Sequence, residues 1–218
     1  MRFLDLLWDF DGTLFDTYPP LIRAMQRALA DRGVTESYAE VARLMGITMD
    51  ECVSTLSRRH SLDAAALEAD MLRYHAQTPI HEKPPFPGAI RVCRQVIAAG
   101  GRNFIFTHKR RASLFELLDH YSVTELFADV LSAWDGYARK PDPAGFIALI
   151  EKHALPREQV LVVGDRDLDI LAGQGAGVHT CLFNTQPSPG VQPDYVIASF
   201  DELEVIVRVG PPPPSCQG

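Results

Sequence analysis

Two carboxylates follow the first apolar run of the chain, and their spacing suggests a site that binds a cation or shares a proton. Residues 8–13 read WDFDGT, so Asp9 and Asp11 stand two positions apart where the apolar segment ends. On an extended backbone such side chains point to the same side, where two acids repel unless a cation or a shared proton compensates. Gly12 permits a tight turn that brings main-chain groups close to a ligand. For this segment alone, a solvated Asp-rich turn is the simpler alternative.

A second acidic group follows a later apolar run. Residues 160–170 read VLVVGDRDLDI, and a helix that starts near Arg166 places Asp165 and Asp169 one turn apart on one face. Capping and the helix dipole alone account for one or two acids at this place. If both apolar runs are strands of one sheet, their acidic ends form an all-oxygen site, for which Mg²⁺ is the natural cation. Such an ion usually marks phosphate chemistry.

Residues that suit a phosphate group follow two further apolar runs. Thr107, His108 and Lys109 supply a hydroxyl and main-chain N–H groups at a strand-to-helix junction. Lys140 stands in the run RKPDP at 139–143, and because a proline follows it we expect it in a loop. For Lys140 taken alone, a solvent-facing side chain is the simpler interpretation.

Short runs rich in Val, Ile, Leu and Phe alternate with helical patterns, which is typical of a parallel sheet covered by helices. We therefore predict an α/β fold, a doubly wound, Rossmann-like parallel sheet core. Ligands bind such sheets at the carboxyl ends of the strands, where the acids, the threonine and the lysine fall. The predicted strands are Phe3–Trp8, Asn103–Thr107, Asp129–Ala133, Val160–Val163, Val178–Phe183 and Tyr195–Ile197.

The interval after the first strand is too long for one crossover helix and predicts an inserted helical subdomain. We assign residues 17–85 to this insertion, residues 1–16 and 86–209 to the core, and residues 210–218 to a disordered Pro-rich tail. Prolines at 18–20 and 83–88 are typical of linkers at its two borders. The predicted helices of the insertion are Leu21–Arg32, Tyr38–Met45, Met49–His60 and Leu62–Gln77.

The charge balance and the hydropathy pattern exclude several classes of protein. Among 218 residues, 28 acidic against 21 basic side chains leave a formal charge of −7, which argues against a nucleic-acid partner. Apolar runs are shorter than the ~18 residues that span a bilayer, and Asp5 interrupts any signal-peptide pattern. We therefore expect a cytoplasmic protein with no membrane partner. The four widely spaced cysteines are typical of reduced thiols, not of a metal or redox site.

The order of these motifs resembles that of the haloacid dehalogenase superfamily of phosphotransferases over residues 1–185. The motifs are DxDGT after the first strand, Thr107 after the second, KPDP after the third and GDxxxD after the fourth. The helical insertion is similar to the α-helical cap of the phosphoglycolate phosphatase and β-phosphoglucomutase branch. The resemblance implies a small phosphorylated metabolite as the substrate.

The resemblance also implies roles for single residues. Asp9 matches the nucleophile that forms an aspartyl-phosphate, and Asp11 matches the acid/base that protonates the leaving alcohol and later activates water. Thr107 matches the residue that hydrogen-bonds the transferring phosphoryl group. Lys140 matches the residue that holds this group and offsets the charge of Asp9.

The same resemblance implies a metal and further phosphate contacts. Mg²⁺ is expected on Asp165, the Asp9 side chain and the Asp11 main-chain carbonyl, with Asp169 as a ligand or as a partner of a ligand. Gly12 and His108 complete the expected phosphate-binding residues. The family often has Asn where this chain has His108, followed here by the basic run 109–111.

Three alternatives to a phosphatase stay open. A phosphomutase uses the same first step, and a receiver-like or degenerate binding protein uses a similar pocket without catalysis. Asp11 disfavours a dehalogenase, because such enzymes lack this acid. The paired Asp9 and Asp11, together with a cap span without lysine before Lys83, disfavour a phosphonatase.

Overall fold

The computed structural model describes residues 2–132 and 134–209. Its parallel six-stranded sheet has the order β3-β2-β1-β4-β5-β6 and confirms the predicted α/β class. The predicted tail at 210–218 lies outside the described residues, as does Ala133. The strands are β1 (Asp5–Trp8), β2 (Arg102–Thr107), β3 (Asp129–Ser132), β4 (Val160–Gly164), β5 (His179–Phe183) and β6 (Tyr195–Ile197).

The strand order reverses at β1, which lies between β2 and β4. Trp8 at the end of β1 pairs with Ile105 of β2 and with Val163 of β4, and both pairings are parallel. The carboxyl ends of all three strands therefore lie at one edge of the sheet. This edge is the place where open α/β sheets bind ligands.

The central strands are buried on both faces, which explains their continuous apolar sequence. All four residues of β1 and all five of β4 are buried. Helices that flank the strands in the chain cover the sheet, and Phe104, Phe106 and Phe146 join the core on one side. The helices of this unit are α5 (Ala89–Ala98), α6 (Arg111–His120), α7 (Ala144–Lys152), α8 (Asp167–Gly175) and α9 (Phe200–Val209), with short 3₁₀ turns at Thr124–Leu126 and Arg157–Gln159.

Residues 16–84 form a second compact unit, Asp16–Pro84. Its helices are α1 (Tyr18–Ala30), α2 (Tyr38–Ile47), α3 (Met49–His60) and α4 (Ala64–Ala76), followed by a 3₁₀ turn at Ile80–Glu82. The side chains of Ser37, Thr48 and Asp63 accept main-chain N–H groups at the starts of α2, α3 and α4, as helix N-caps do. The unit has its own apolar core, in which α1 packs against α4.

The expectation that residues 18–20 form a linker was wrong. The helix α1 begins at Tyr18, so Pro19 and Pro20 lie in its first turn. Proline is compatible with this position because the N–H groups of a first helical turn have no partner within the helix. In the described part of the chain, no helix combines the length and the apolar character needed to cross a membrane.

A buried asparagine links β1 to its neighbours. Asn103 on β2 accepts a hydrogen bond from the indole N–H of Trp8 at 3.0 Å. Its amide nitrogen donates to the carbonyls of Cys93 at 2.9 Å and Leu126 at 3.3 Å. Trp8 directly precedes Asp9, so this network fixes the backbone from which the first predicted site residue projects.

Replacing this asparagine is expected to destabilise the fold. Asn103→Ala leaves one donor and two acceptors without this partner in the core, and we expect a loss of about 2–4 kcal/mol in the free energy of unfolding. Urea denaturation followed by circular dichroism measures it. The control Ser113→Ala, at an exposed position of α6, is expected to change stability by less than about 0.5 kcal/mol. Equal effects of the two substitutions would contradict the proposed role of the network.

Candidate active site

Asp9 lies at the carboxyl end of β1 and is almost completely buried, with 1% of its surface exposed. Its main-chain N–H donates to the Val163 carbonyl at 2.9 Å and so continues the sheet. Its Oδ1 accepts a hydrogen bond from the Lys140 ammonium at 2.5 Å. Its Oδ2 is buried and has no hydrogen-bond partner among the described residues. One oxygen is therefore held in place, and the other is left for a group from outside the protein.

Lys140 forms the centre of a buried cluster of three charges. Its ammonium also donates to Asp169 Oδ1 at 2.6 Å, and no side chain of the three is more than 2% exposed. The rings of Phe106 and Phe146 lie 5.4 and 5.8 Å from the ammonium, where cation–π attraction is effective. The structure thus places Lys140 in a loop, as predicted, but the solvent-facing interpretation of its side chain was wrong.

The titration of this cluster reflects its burial first and its neighbouring charges second. Burial raises the pKa of Asp9 to about 6, and although Lys140 opposes this shift, Asp169 adds to it. Burial alone would lower the pKa of Lys140, but the two carboxylates outweigh burial and raise it. One ammonium therefore faces two carboxylates, and a further positive charge would relieve the repulsion between them.

Three carboxylates meet at this point. One oxygen each of Asp9, Asp165 and Asp169 lies within 4.8 Å of the others. Asp165 Oδ1 accepts a hydrogen bond from the Thr13 hydroxyl at 3.2 Å, which ties the end of β4 to the turn after β1. Three carboxylates that offer oxygen donors this close together fit a hard divalent cation.

Asp169 has both carboxylate oxygens engaged. Oδ1 accepts from Lys140 at 2.6 Å, and Oδ2 accepts the main-chain N–H of Arg166 at 3.1 Å, where it caps α8. Gly164 makes this close approach possible, because a Cβ built there would lie 2.3 Å from the Asp169 Cβ. The arrangement favours Asp169 as a residue that orients Lys140 over a direct metal ligand.

Thr107, Lys109 and Asp11 form a second chain of contacts. Thr107 is buried at the end of β2, and its hydroxyl oxygen accepts the main-chain N–H of Lys109 at 3.1 Å. The Lys109 ammonium donates to Asp11 Oδ1 at 2.9 Å. The sequence placed Lys109 beside the pocket, but the pairing with Asp11 was not predicted. The one sequence feature that pointed to this pairing is that Lys109 lies two residues after Thr107.

His108 contacts the lysine loop. Its Nε2 accepts the main-chain N–H of Lys140 at 2.9 Å, so this nitrogen is not available to a phosphate group. Burial lowers the pKa of His108 to about 4, and the positive charge of Lys140 acts in the same direction. The ring is therefore uncharged at neutral pH, which suits a hydrogen-bond acceptor. The sequence had predicted a phosphate contact for His108 and not this bond to the lysine loop.

Gly12, Asp167 and Arg111 belong to the predicted motifs or the basic run, and each contacts main-chain groups of the protein. Gly12 adopts a φ of +84° and donates its N–H to the Phe15 carbonyl at 2.9 Å, which closes the turn after Asp11. Asp167 accepts the main-chain N–H of Ser188 at 3.2 Å. Arg111 donates to the Val130 carbonyl at 3.0 Å. Of the basic run, Lys109 alone is seen to pair with a predicted site residue in the described contacts.

The sequence profile of the haloacid dehalogenase-like hydrolases matches residues 6–183. The chain belongs to this family. This hydrolase is 28% identical to the phosphoglycolate phosphatase of Aliivibrio fischeri, over 94% of its own length and 96% of that protein. It is also 28% identical to the phosphoglycolate phosphatase of Yersinia pestis, with 90% and 89% of the two chains covered. The predicted family and its phosphatase class are confirmed.

Solved structures show the same fold. A predicted phosphoglycolate phosphatase from Haemophilus somnus superposes with a TM-score of 0.81 at 22% identity, over 95% of this hydrolase and 99% of that chain. A hydrolase of this family from Deinococcus radiodurans, solved with bound phosphate and sodium, gives a TM-score of 0.77 at 23% identity over 94% and 95%. The two solved structures thus share the fold of this hydrolase.

Removing the central ammonium is expected to cost much stability. Lys140→Met leaves Asp9 and Asp169 buried without this cation, and we expect a loss of about 3–5 kcal/mol in the free energy of unfolding, measured by urea denaturation in EDTA. Lys152→Met is the matched control, because Lys152 also pairs with a carboxylate, Asp129, but is 63% exposed. We expect its loss to stay below about 1 kcal/mol. Similar losses in the free energy of unfolding for both variants would contradict a larger contribution from the buried cluster than from an exposed ion pair.

Proposed function

We propose that this hydrolase is a Mg²⁺-dependent phosphatase that cleaves a small phosphomonoester through an aspartyl-phosphate on Asp9. The state of the Asp9 carboxylate carries the proposal. One oxygen is held by Lys140 at 2.5 Å, and the other is buried without a hydrogen-bond partner among the described residues. A buried carboxylate in this state is suited to accept a phosphoryl group once the surrounding negative charge is compensated.

The residues present fit the metal that the family uses. Asp9 and Asp165 supply carboxylate oxygens within 4.8 Å of each other, and the main-chain carbonyl of Asp11 is the third expected ligand. Asp169 supports the site by orienting Lys140. When bound, Mg²⁺ supplies positive charge opposite the carboxylates and the oxygens of the phosphate group.

The first half of the reaction transfers the phosphoryl group to the enzyme. An Asp9 carboxylate oxygen forms a bond to phosphorus while the bond from phosphorus to the leaving oxygen breaks. Asp11 gives its proton to that oxygen, so the product leaves as an alcohol. Transfer of this kind depends mainly on positioning and on electrostatic stabilisation, which fixed cations provide.

The second half returns Asp9 to its starting state. Water attacks phosphorus, Asp11 accepts the proton of that water, and the bond from phosphorus to Asp9 breaks to release phosphate. Asp11 is well placed for alternate proton transfers, because it is partly exposed and its carboxylate is oriented by Lys109 at 2.9 Å. The pairing fixes the carboxylate without removing it from solvent.

Lys140 and Thr107 stabilise the transferring group. The Lys140 ammonium is fixed by two carboxylates and needs little rearrangement when negative charge develops on phosphate oxygens. The oxygen of the Thr107 hydroxyl accepts the Lys109 N–H, which leaves the hydroxyl hydrogen to donate to a phosphoryl oxygen. Both residues then hold the group in line with Asp9.

Removing the nucleophile tests this mechanism. Asp9→Asn should lower kcat for p-nitrophenyl phosphate roughly 10⁴-fold or more, since loss of a covalent nucleophile has effects of this order. EDTA should abolish wild-type turnover, and added Mg²⁺ should restore it. Asp167→Asn is the matched control, because Asp167 caps a nearby main-chain N–H and is expected to keep turnover within about threefold of wild type. Undiminished turnover in Asp9→Asn, with contaminating phosphatase excluded, would reject Asp9 as the nucleophile.

We further propose phosphoglycolate as the first substrate to test, because the similar proteins from Aliivibrio fischeri and Yersinia pestis carry that name. We expect its kcat/KM to exceed that of sugar phosphates and nucleoside monophosphates by at least about tenfold. Release of inorganic phosphate from each ester measures it. Conversion of a sugar phosphate to an isomer without phosphate release would instead indicate a phosphomutase.

A further inference from the structure

The loop that carries Lys140 needs an anchor, because a lysine side chain is long and its ammonium lies where the backbone allows. Lys140 lies between β3 and α7 in a segment of turns. Its main-chain N–H donates to Nε2 of His108, at the end of β2, at 2.9 Å. This bond links the loop to the central sheet, because His108 directly follows Thr107, the last residue of β2.

We propose that His108 is a positioning residue whose Nε2 fixes the Lys140 backbone and thereby places the Lys140 ammonium between Asp9 and Asp169. The proposal rests on the phosphatase function proposed above, since it assigns His108 a part in that site. It replaces the expected phosphate contact of His108 with an indirect one. His108 acts through Lys140 and does not touch the reacting atoms.

The chemistry of the ring agrees with this role. An imidazole accepts a hydrogen bond at Nε2 only when it is uncharged and carries its hydrogen on Nδ1. Burial lowers the pKa of His108 to about 4, so the ring is in this form at neutral pH. Its neighbours Lys140 and Arg166 also disfavour a second proton on the ring.

The proposed anchor maintains short contacts between the Lys140 ammonium and its neighbours. The ammonium makes contacts of 2.5 Å to Asp9 and 2.6 Å to Asp169, and it lies over the rings of Phe106 and Phe146. A displacement of about 1 Å in such a site lowers the rate by a factor of about 100. A backbone anchor at Lys140 itself is therefore worth more to turnover than its single hydrogen bond suggests.

Substitutions of His108 by glutamine and by asparagine distinguish this positioning role from a phosphate contact. The amide group of glutamine reaches about as far as Nε2 of histidine, whereas that of asparagine reaches only about as far as Nδ1. A role through Nε2 is therefore kept by glutamine and lost with asparagine. A phosphate contact through Nδ1 gives the opposite order.

The first experiment compares turnover of p-nitrophenyl phosphate by three variants with Mg²⁺ present. For His108→Asn and His108→Phe we expect kcat to fall about 10- to 100-fold with KM changed less than about threefold. For His108→Gln we expect kcat within about fivefold of wild type, and for His120→Gln, an exposed histidine on α6, no change. Retained turnover in His108→Asn with loss in His108→Gln, or equal turnover in all three His108 variants, would overturn the proposal.

The second experiment is independent of activity and of the folding of any variant. In the ¹⁵N-labelled wild-type protein, a scalar coupling across the hydrogen bond should connect the amide nitrogen of Lys140 with Nε2 of His108 in the NMR spectrum. Detection of this coupling supports the anchor, and its absence at neutral pH overturns it. Since the coupling requires no turnover, failure of the anchor is distinguishable from failure of the proposed phosphatase reaction, which the Asp9→Asn variant tests.

Discussion

The ammonium of Lys140, buried between the carboxylates of Asp9 and Asp169, is the interaction on which the rest of the site depends. Three charged side chains with at most 2% exposure are costly to remove from water. Such a cluster persists only if its geometry is enforced from several sides. The parallel pairing of β1 with β2 and β4 supplies one part of this enforcement, and the anchored loop after β3 supplies another.

Removal from water is the strongest influence on the charge state of Asp9. Burial raises the pKa of Asp9 to about 6 even beside Lys140, and the negative charge of Asp169 acts in the same direction as burial. An acidic protein with a formal charge of −7 must nevertheless attract a phosphate dianion. In the proposed function, a divalent cation held by Asp9 and Asp165 would reverse the local sign, and the clustered acids would then form a site for a single phosphate group.

The sequence predicted the fold better than it predicted the contacts. The spans Met49–His60 and Tyr195–Ile197 agree with α3 and β6 to the residue, because apolar periodicity and local caps determine such elements. The strand ends that carry Asp9 and Asp165 followed from the same pattern. The pairing of Lys140 with Asp9 joins residues 131 positions apart, and the family resemblance, not a local pattern, was what pointed to it. The bond from the Lys140 main-chain N–H to His108 joins residues 32 positions apart, and it was not predicted, because no local pattern specifies such a contact.

The central claim is that Asp9 takes the phosphoryl group, and trapping that intermediate tests it most directly. Asp11→Asn should still transfer phosphoryl from p-nitrophenyl phosphate, whose leaving group needs little proton assistance, but should hydrolyse the phosphoenzyme slowly. After acid quenching and proteolysis, mass spectrometry should find one added phosphoryl group on the peptide that contains Asp9. A phosphoryl group on any other residue, or turnover without a phosphorylated peptide, would contradict the account.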